Sequence, residues 1–458
     1  MAKQISSYDK GHLAEHLKKV YEFTWTGSHV PEGCHNYTII GGRGTGFKFT
    51  SDKGTFEGVM SEGSGPTLVV FNDGKDALHS FVEEALKDEE VRDLVGPDAL
   101  EKQLQTVLQS TNGLLPNGDL REFIRFQIMK PLRDELQVWI SFVPVVNLVV
   151  TMPFRIGDVE FISQGKASVE TKQFIEDHRF GGDNDVHKEQ QKRAILSKVE
   201  ECCQQCRGFA RVSVRAHSKR VKDVASDKAL IAINILRSCT HLFHSYSEKA
   251  WFGLCSEMAT GVSNMVSLGQ TEEHRFYIDS EVGGPRTEFV LDAQKIEHLT
   301  SKCHFANIQY IIDKSFEQRD SLETAIVQGF QALGRAIVAP TIDMRFLGCT
   351  IALERLLIRD GEETTTERWS DRLAVILGHD PEKRQAIIQR AKKLYDLRSR
   401  IVHAAYSGVA DADARTMERW AVGVIVSTLA RHKEFSSHEE FCKRIDPREI
   451  GLSIEPKR

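Results

Sequence analysis

Residues 394–403 read LYDLRSRIVH and contain an arginine and a histidine in the spacing Arg-x4-His. They lie in the last quarter of a chain of 458 residues, near the end of a helical pattern that runs from Pro381 to Ala405. Ser407 and Gly408 follow, and glycine commonly ends a helix. The stretch therefore predicts a helix that carries the arginine and the histidine close to its C-terminus.

The two residue types suit the cleavage of RNA without a metal ion. Such a reaction needs a group that takes the proton from the ribose 2′-hydroxyl, one that protonates the leaving 5′ oxygen, and a cation that holds the charge on the phosphorane. Histidine has an ordinary pKa near ~6.5 and suits the proton transfers. Arginine stays protonated, and its planar fork matches phosphate oxygens. Arg398 and His403 are therefore candidate catalytic residues.

The motif belongs to a longer series of helical segments, namely ALERLL at 352–357, RWSDRLAVIL at 368–377 and the polar turn HDP at 379–381. In order and spacing this series resembles the Apea-like branch of the HEPN superfamily, over about residues 300 to 435. The resemblance implies an all-α bundle that acts as a metal-independent endoribonuclease in prokaryotic defence against phage. It also implies that Glu354 supports the active site.

Arg398 and His403 would not share one face of an ideal helix, because five residues correspond to about 140° of rotation. Either the helix is irregular there or the site is composite. The resemblance implies a composite site, in which the motifs of two protomers meet across the two-fold axis of a homodimer.

The identity of the catalytic arginine stays open at this stage. Arg400 lies three residues before His403 and so on the same face of a helix, whereas the resemblance points to Arg398. Ser399 stands beside that arginine, where family members often carry a larger polar residue. We therefore include both Ser399 and Arg400 among the candidate catalytic residues.

Composition limits the class of protein. Charged residues make up 27% of the chain, apolar residues 41%, and the net charge is −5, which is typical of a globular protein and argues against one that coats nucleic acid with its whole surface. The first residues contain no apolar core of signal-peptide length, and the nine cysteines are scattered. These features predict a cytoplasmic protein with reduced thiols, no membrane span and no cofactor.

The patterning predicts an α+β protein in three parts. Residues 1–185 have helical and β-prone segments separated by glycine-rich turns, which indicates a mixed α/β domain with antiparallel strands that senses or regulates. Residues 186–300 form a helical connecting region with a less regular insertion at 260–289. Residues 301–440 form the all-α HEPN bundle. The apolar region 137–162 is interrupted by prolines and predicts a pair of buried strands.

Two further patterns are weaker. The glycine-rich stretch 41–46 resembles a phosphate loop, but Phe47 separates its last glycine from Lys48 and no serine or threonine follows the lysine, so we interpret it as a hairpin loop. Cys203 and Cys206 could form a zinc site with His241 and His244. Both pairs lie in helical patterns, so packed, reduced thiols are the favoured interpretation.

Basic residues cluster in two runs, 207–222 and 383–400. In an acidic chain such runs are candidate phosphate tracks, although a solvated helix face explains the first run equally well. The predicted RNA-binding residues are Lys383, Arg384, Arg390, Lys392, Lys393, Arg211 and Arg215.

Together these patterns predict an endoribonuclease that acts on RNA such as tRNA or mRNA. The resemblance implies an anti-phage, abortive-infection or toxin-like effector with a phage-derived trigger. The alternative is a catalytically silent HEPN bundle that serves as a dimerisation or RNA-binding scaffold. A nucleotide-binding regulator acting through residues 41–46 is a third, weaker interpretation.

Overall fold

The structure, a computed structural model, describes most of the chain. The described residues are 12–22, 24–26, 37–40, 44–51, 54–61, 68–71, 73–111, 114–116, 118–177, 185–240, 251–257, 263–269, 276–281, 288–359, 361–362, 365–404 and 407–451. They form an α+β protein that is mostly helical and contains antiparallel strand pairs.

The chain divides into two compact units. Unit 1 comprises Met1–Trp139, Val214–Val224 and Gly269–Thr271, and unit 2 comprises Ile140–Ser213, Ala225–Leu268 and Glu272–Arg458. The boundary predicted near residue 185 lies next to residues 178–184, which are outside the described ranges. Residues 140–177 on its N-terminal side belong to unit 2.

The part of unit 1 before residue 137 contains five helices, five strands and two π-helical turns among its described residues. The helices are α1 His12–Glu22, α2 Asp73–Ala85, α3 Pro97–Ser110, α4 Leu120–Phe123 and α5 Lys130–Asp134, and the π-helical turns are Val91–Val95 and Ile124–Met129. The strands are β1 Thr24–Thr26, β2 Tyr37–Ile40, β3 Gly44–Ser51, β4 Gly54–Ser61 and β5 Leu68–Phe71. The apolar faces of the helices form one core around Leu17, Phe81 and Leu104.

The glycine-rich stretch does not open into a helix. Its last residues, Gly44 to Gly46, begin β3, which pairs antiparallel with β4 from Gly44↔Ser61 to Ser51↔Gly54. Residues 44–46 of the stretch interpreted as a hairpin loop therefore belong to a strand, and residues 41–43 lie outside the described residues. A phosphate loop would lead into a helix N-terminus, whereas a strand follows here.

Unit 2 combines a sheet with a helical bundle. The remaining strands are β6 Gln137–Val145, β7 Leu148–Val150, β8 Phe154–Ile156, β9 Val159–Ser163, β10 Gly208–Ala216, β11 Ser263–Gly269, β12 Phe276–Glu281 and β13 Phe289–Leu291. Six of them form a sheet in the order β12-β11-β6-β10-β9-β8. The helices are α6 Gln164–Asp177, α7 Asp185–Gln205, α8 Val221–Thr240, α9 Ala293–Lys302, α10 Phe305–Ile312, α11 Ser321–Ile337, α12 Ile342–Leu357, α13 Thr366–Leu377, α14 Pro381–Ala404, α15 Asp411–Arg431 and α16 His438–Ile445.

Local signals explain the helices of the bundle. Asp320 accepts hydrogen bonds from the backbone N–H groups of Leu322 and Glu323, both at 2.8 Å, and caps α11. Pro381 occupies the first position of α14, where its missing N–H costs nothing. Gly408, with φ of 109°, redirects the chain after α14.

Two expectations about secondary structure were wrong. Residues 137–162 form four strands rather than two, because Asn147 (φ 60°) and Gly157 (φ 57°) allow tight turns between short strands. The insertion at 260–289 contains β11 and β12, which pair from Ser263↔Glu281 to Leu268↔Phe276. In the basic run 207–222, Arg211 and Arg215 lie on strand β10, and the run continues through the 3₁₀ turn Ser218–Arg220 into α8.

Candidate functional site

Helix α14 is continuous through the Arg-x4-His motif, from Pro381 to Ala404. The possibility that the helix is irregular at the motif therefore does not apply. Arg398 and His403 are separated by about 140° around the helix axis, and their side chains point to different sides of it.

The arginine side of the motif faces α12. Arg398 Nη2 lies 3.3 Å from Glu354 Oε1, and the Tyr395 hydroxyl donates to the same oxygen at 3.3 Å. The Arg398 guanidinium carbon also lies 5.7 Å from the centre of the Tyr395 ring. The Tyr395 ring packs 5.3 Å from the buried ring of Trp369. A carboxylate and an aromatic ring thus hold the guanidinium in one orientation, which an anchored phosphate-binding arginine requires.

These contacts also affect the tyrosine. Burial raises the pKa of the Tyr395 hydroxyl, and the charge of Glu354 adds to the increase, while Arg398 opposes it. Tyr395 is therefore a neutral hydrogen-bond donor at ordinary pH. Its role is to position the carboxylate.

The histidine side of the motif is open to solvent. His403 and Arg400 are both exposed, whereas Arg398 and Ser399 are half-buried. Arg400 and His403 lie about 60° apart around the helix, so they share the exposed face. Within one protomer the structure brings Glu354 to Arg398 but leaves His403 away from that pair.

Helices α12 and α14 run antiparallel. Glu354 near the end of α12 contacts Arg398, and Asp343 at its start accepts a 2.9 Å hydrogen bond from the backbone N–H of Val409, beyond the end of α14. Apolar side chains are exposed on both helices, since Val402 is 50% and Met344 is 55% accessible. The surface next to His403 is therefore partly apolar.

Three of the five predicted RNA-binding residues in the second basic run contact other groups of the chain. Arg390 forms an ion pair with Asp413, and Lys383 contacts His379 and lies 3.8 Å from Asp380. Arg384 Nε donates to the backbone carbonyl of Gly378 at 2.9 Å. Only Lys392 and Lys393 of the predicted RNA-binding residues in this run are exposed without an ion pair to the described residues.

The first basic run is a set of ion pairs on strand β10. Arg211 Nε lies 2.8 Å from Glu170 and its Nη1 lies 3.5 Å from Glu160. Arg215 Nη1 lies 3.3 Å from Glu90. The acidic partners come from other elements of the chain, which is why the run itself contains none. Arg211 and Arg215 thus each face at least one carboxylate.

A cleft of about 730 Å³ opens beside Glu354. It lies between the 3₁₀ turn Phe316–Gln318, the first turns of α11 and the second half of α12. Its wall includes an exposed aromatic ring, Phe316, and three arginines, Arg319, Arg355 and Arg359. Arg398 and His403 are not part of this wall.

An ion network supports the far side of the cleft. Arg372 is fully buried, and its Nη1 donates to Glu362 Oε2 at 2.7 Å while its Nη2 donates to Asp446 Oδ2 at 3.0 Å. Burial alone would raise the pKa of Glu362, but the hydrogen bonds from Arg372 and from the backbone N–H of Arg359, with the charges of both arginines, outweigh it and hold that pKa below its ordinary value. Glu362 is therefore a structural carboxylate.

No group of three or more His, Cys, Asp or Glu side chains is arranged to hold a metal ion within the described ranges. Cys203 and Cys206 are buried, and burial raises the pKa of the Cys203 thiol to about 11. His241 and His244, the other half of the zinc hypothesis, lie outside the described residues. Cys203 is thus a packed thiol with little thiolate character.

Several residues of this region were not predicted from the sequence. Tyr395 stands inside the quoted motif, three residues before Arg398, and that helical spacing was the available signal. Phe316 and Arg319 lie at one turn, and Arg355 of α12 joins them in the cleft wall only through tertiary packing, so no local pattern indicates the three together. No described helix has both the length and the apolar character needed to cross a bilayer.

Comparison with known proteins gives no match to a family model, to a curated protein or to a solved structure.

Proposed function

We propose that this chain is a metal-independent endoribonuclease of the HEPN type, with Arg398 and His403 as its catalytic residues. The observation that carries the proposal is the 3.3 Å ion pair between Glu354 of α12 and Arg398 of α14. His403, further along α14, is exposed. A half-buried arginine held by a carboxylate and a ring is a ready-made phosphate ligand.

The site is composite. Arg398 of one protomer works with His403 of the partner subunit, because about 140° of rotation separates them within one chain. The exposed Val402 and Met344 supply apolar surface for an isologous contact beside the histidine. A homodimer through these helices then has two such sites.

The chemistry is an internal transfer. Neutral His403 accepts the proton of the 2′-hydroxyl, the 2′ oxygen bonds to phosphorus, and the bond from phosphorus to the 5′ oxygen breaks. The leaving oxygen takes up a proton from solvent. Arg398 stabilises the additional negative charge on the phosphorane oxygens. The products are a 2′,3′-cyclic phosphate and a 5′-hydroxyl.

The test is cleavage of purified total RNA in EDTA by the full-length protein and by His403→Ala. We expect the wild type to cleave and leave cyclic phosphate ends, and the variant to lose about 10²- to 10⁴-fold in rate, as for a missing acid or base. Cleavage that needs a divalent ion and leaves 5′-phosphates contradicts the mechanism. Light scattering of the wild type checks the dimer.

A second function is a silent scaffold that binds RNA or dimerises without cutting. It is favoured by the separation of Arg398 from His403 within one protomer and by the engagement of Arg398 with Glu354. RNA binding with no His403-dependent cleavage supports the scaffold over the enzyme.

The biological setting is part of the same proposal. Unit 1 senses or regulates, the target is cellular RNA such as tRNA or mRNA, and a phage-derived trigger activates the cytoplasmic enzyme in abortive infection. Bacteria that express the wild type should restrict phage plating more than bacteria that express His403→Ala. Equal phage plating on the two strains contradicts a role in defence.

A further inference from the structure

The cleft beside Glu354 has the composition of a nucleotide site. It presents an aromatic ring, Phe316, whose residue is 68% accessible, at the mouth of a space of about 730 Å³. Pockets for small ligands usually measure about 300–1,000 Å³. The volume thus suits a single nucleotide.

The aromatic ring is carried by a fixed turn. The backbone N–H of Ser315 donates to Gln318 Oε1 at 3.0 Å, and the backbone N–H of Gln318 donates back to the Ser315 carbonyl at 3.1 Å. The turn thus fixes the backbone at Phe316, while the ring itself remains exposed. Stacking on exposed aromatic side chains is how many proteins hold unpaired bases.

Two of the arginines in the cleft wall, Arg319 and Arg355, form no ion pair within the described ranges. Arg319 donates from Nε to the Ile311 carbonyl at 3.0 Å and from Nη2 to the Ile312 carbonyl at 3.2 Å. In the described part of the chain no carboxylate lies within ion-pair distance of Arg319 or Arg355. Burial lowers the pKa of the Arg319 guanidinium, and the charges of Glu323 and Glu317 act in the opposite direction.

The carboxylates of the wall are already engaged. Glu354 pairs with Arg398 at 3.3 Å, and Glu362 pairs with Arg372 at 2.7 Å. Glu317 accepts a hydrogen bond from the Ser315 hydroxyl at 2.7 Å. Arg359 differs from the other two arginines, because it forms a 2.5 Å ion pair with Glu449. Arg319 and Arg355 are therefore the cations that remain for an anionic ligand.

We propose that this cleft binds a nucleoside phosphate, with the base stacked on Phe316 and the phosphate held by Arg319 and Arg355. Because Glu354 lines the cleft and also holds Arg398, a nucleotide of an RNA strand seated here lies next to the scissile phosphate. That placement rests on the proposed function. The binding chemistry is the same for a free nucleotide.

The experiment uses the full-length protein and a fluorescent, single-stranded RNA of about ten nucleotides, within the usual range of site sizes, with 2′-O-methyl riboses that prevent cleavage. Fluorescence anisotropy gives the affinity of the wild type, Phe316→Ala, Phe316→Trp and Arg355→Ala. Phe126→Ala and Arg335→Ala are the matched controls, since both residues are exposed and lie outside the cleft wall. Thermal unfolding confirms that each variant is folded.

We expect Phe316→Ala to weaken binding roughly 5- to 100-fold, the equivalent of one lost stacking contact. Phe316→Trp should restore it, and Arg355→Ala should flatten the salt dependence by about 0.7, one phosphate contact on a single strand. The controls should bind like the wild type. Binding that is unchanged in both Phe316→Ala and Arg355→Ala overturns the proposal, as does a wild type that binds neither the oligonucleotide nor AMP.

Titration with AMP distinguishes a free nucleotide from a nucleotide of an RNA strand as the ligand of the cleft. Phe316-dependent binding of the oligonucleotide supports a strand subsite, and Phe316-dependent binding of AMP alone supports a site for a free nucleotide. The catalytic proposal is tested independently by cleavage in His403→Ala. Binding that depends on Phe316, without cleavage that depends on His403, supports the nucleotide site in the cleft and contradicts the nuclease. If cleavage depends on His403 but binding is independent of Phe316 and Arg355, only the proposed nucleotide site is contradicted.

Discussion

Arg398 Nη2 lies 3.3 Å from Glu354 Oε1, so the arginine of the motif is tied to the neighbouring helix while the histidine five residues later remains exposed. The contact determines which side of α14 packs against α12 of the same chain. It follows that any partner of His403 must come from outside this pair.

The first prediction concerns Glu354 as a positioning residue. Glu354→Gln keeps the shape of the side chain but removes the charge that orients Arg398. We expect kcat to fall about 10-fold, the equivalent of one charge-assisted hydrogen bond of ~1.4 kcal/mol, with little change in KM. Steady-state kinetics on a defined RNA measure both constants. Glu439→Gln, on the exposed surface of α16, is the control, and an unchanged kcat in Glu354→Gln contradicts the role.

The second prediction concerns stability. Glu362→Gln leaves the fully buried Arg372 with one of its two carboxylates, Asp446. Removing one partner of a buried pair commonly costs about 3 kcal/mol, because a buried charge is left poorly compensated. Urea denaturation should show a loss of this size in the free energy of unfolding. The exposed Glu439→Gln should show almost none.

The same pair has a defined pH dependence. The pKa of Glu362 in the folded protein is below the 4.5 of an unperturbed glutamate, so its contribution is complete above pH 4.5 and is lost as the pH falls through the lower folded value. The difference in unfolding free energy between wild type and Glu362→Gln should be constant from about pH 6 to 8 and shrink below about 4.5. A difference that grows on acidification contradicts the assignment.

Sequence alone defines the bundle well and the site only in part. The helix predicted from Pro381 to Ala405 is observed from Pro381 to Ala404, and the helical segments 352–357 and 368–377 lie within α12 and α13, because capping residues such as Thr341 and breakers such as Pro381 act locally. Arg211 shows the limit, since its acidic partners Glu160 and Glu170 belong to a different strand and a helix. Its neutralisation follows from tertiary packing and not from the run in which it lies.

The third prediction separates the two arginines of the motif. Arg398→Lys keeps a charge but loses the bidentate fork, so turnover at saturating RNA should fall steeply while affinity changes little. Arg400→Ala, on the exposed face, should weaken binding and reduce the salt dependence by about 0.7. Both variants are measured for turnover and for affinity across a salt series. If turnover collapses for Arg400→Ala and not for Arg398→Lys, then Arg400 and His403 carry the chemistry.

The fourth prediction tests the shared site by mixing two inactive variants. Arg398→Ala and His403→Ala are each expected to be inactive as homodimers. When equal amounts exchange subunits, half of the dimers are mixed, and each mixed dimer has one site with the wild-type arginine of one protomer and the wild-type histidine of the other. Activity should therefore return to about a quarter of the wild-type value for a two-fold dimer with two sites. A site contained within one protomer has no intact copy in any of these dimers, so a mixture that stays inactive, although light scattering and subunit-exchange labelling show mixed dimers, rules out the composite arrangement.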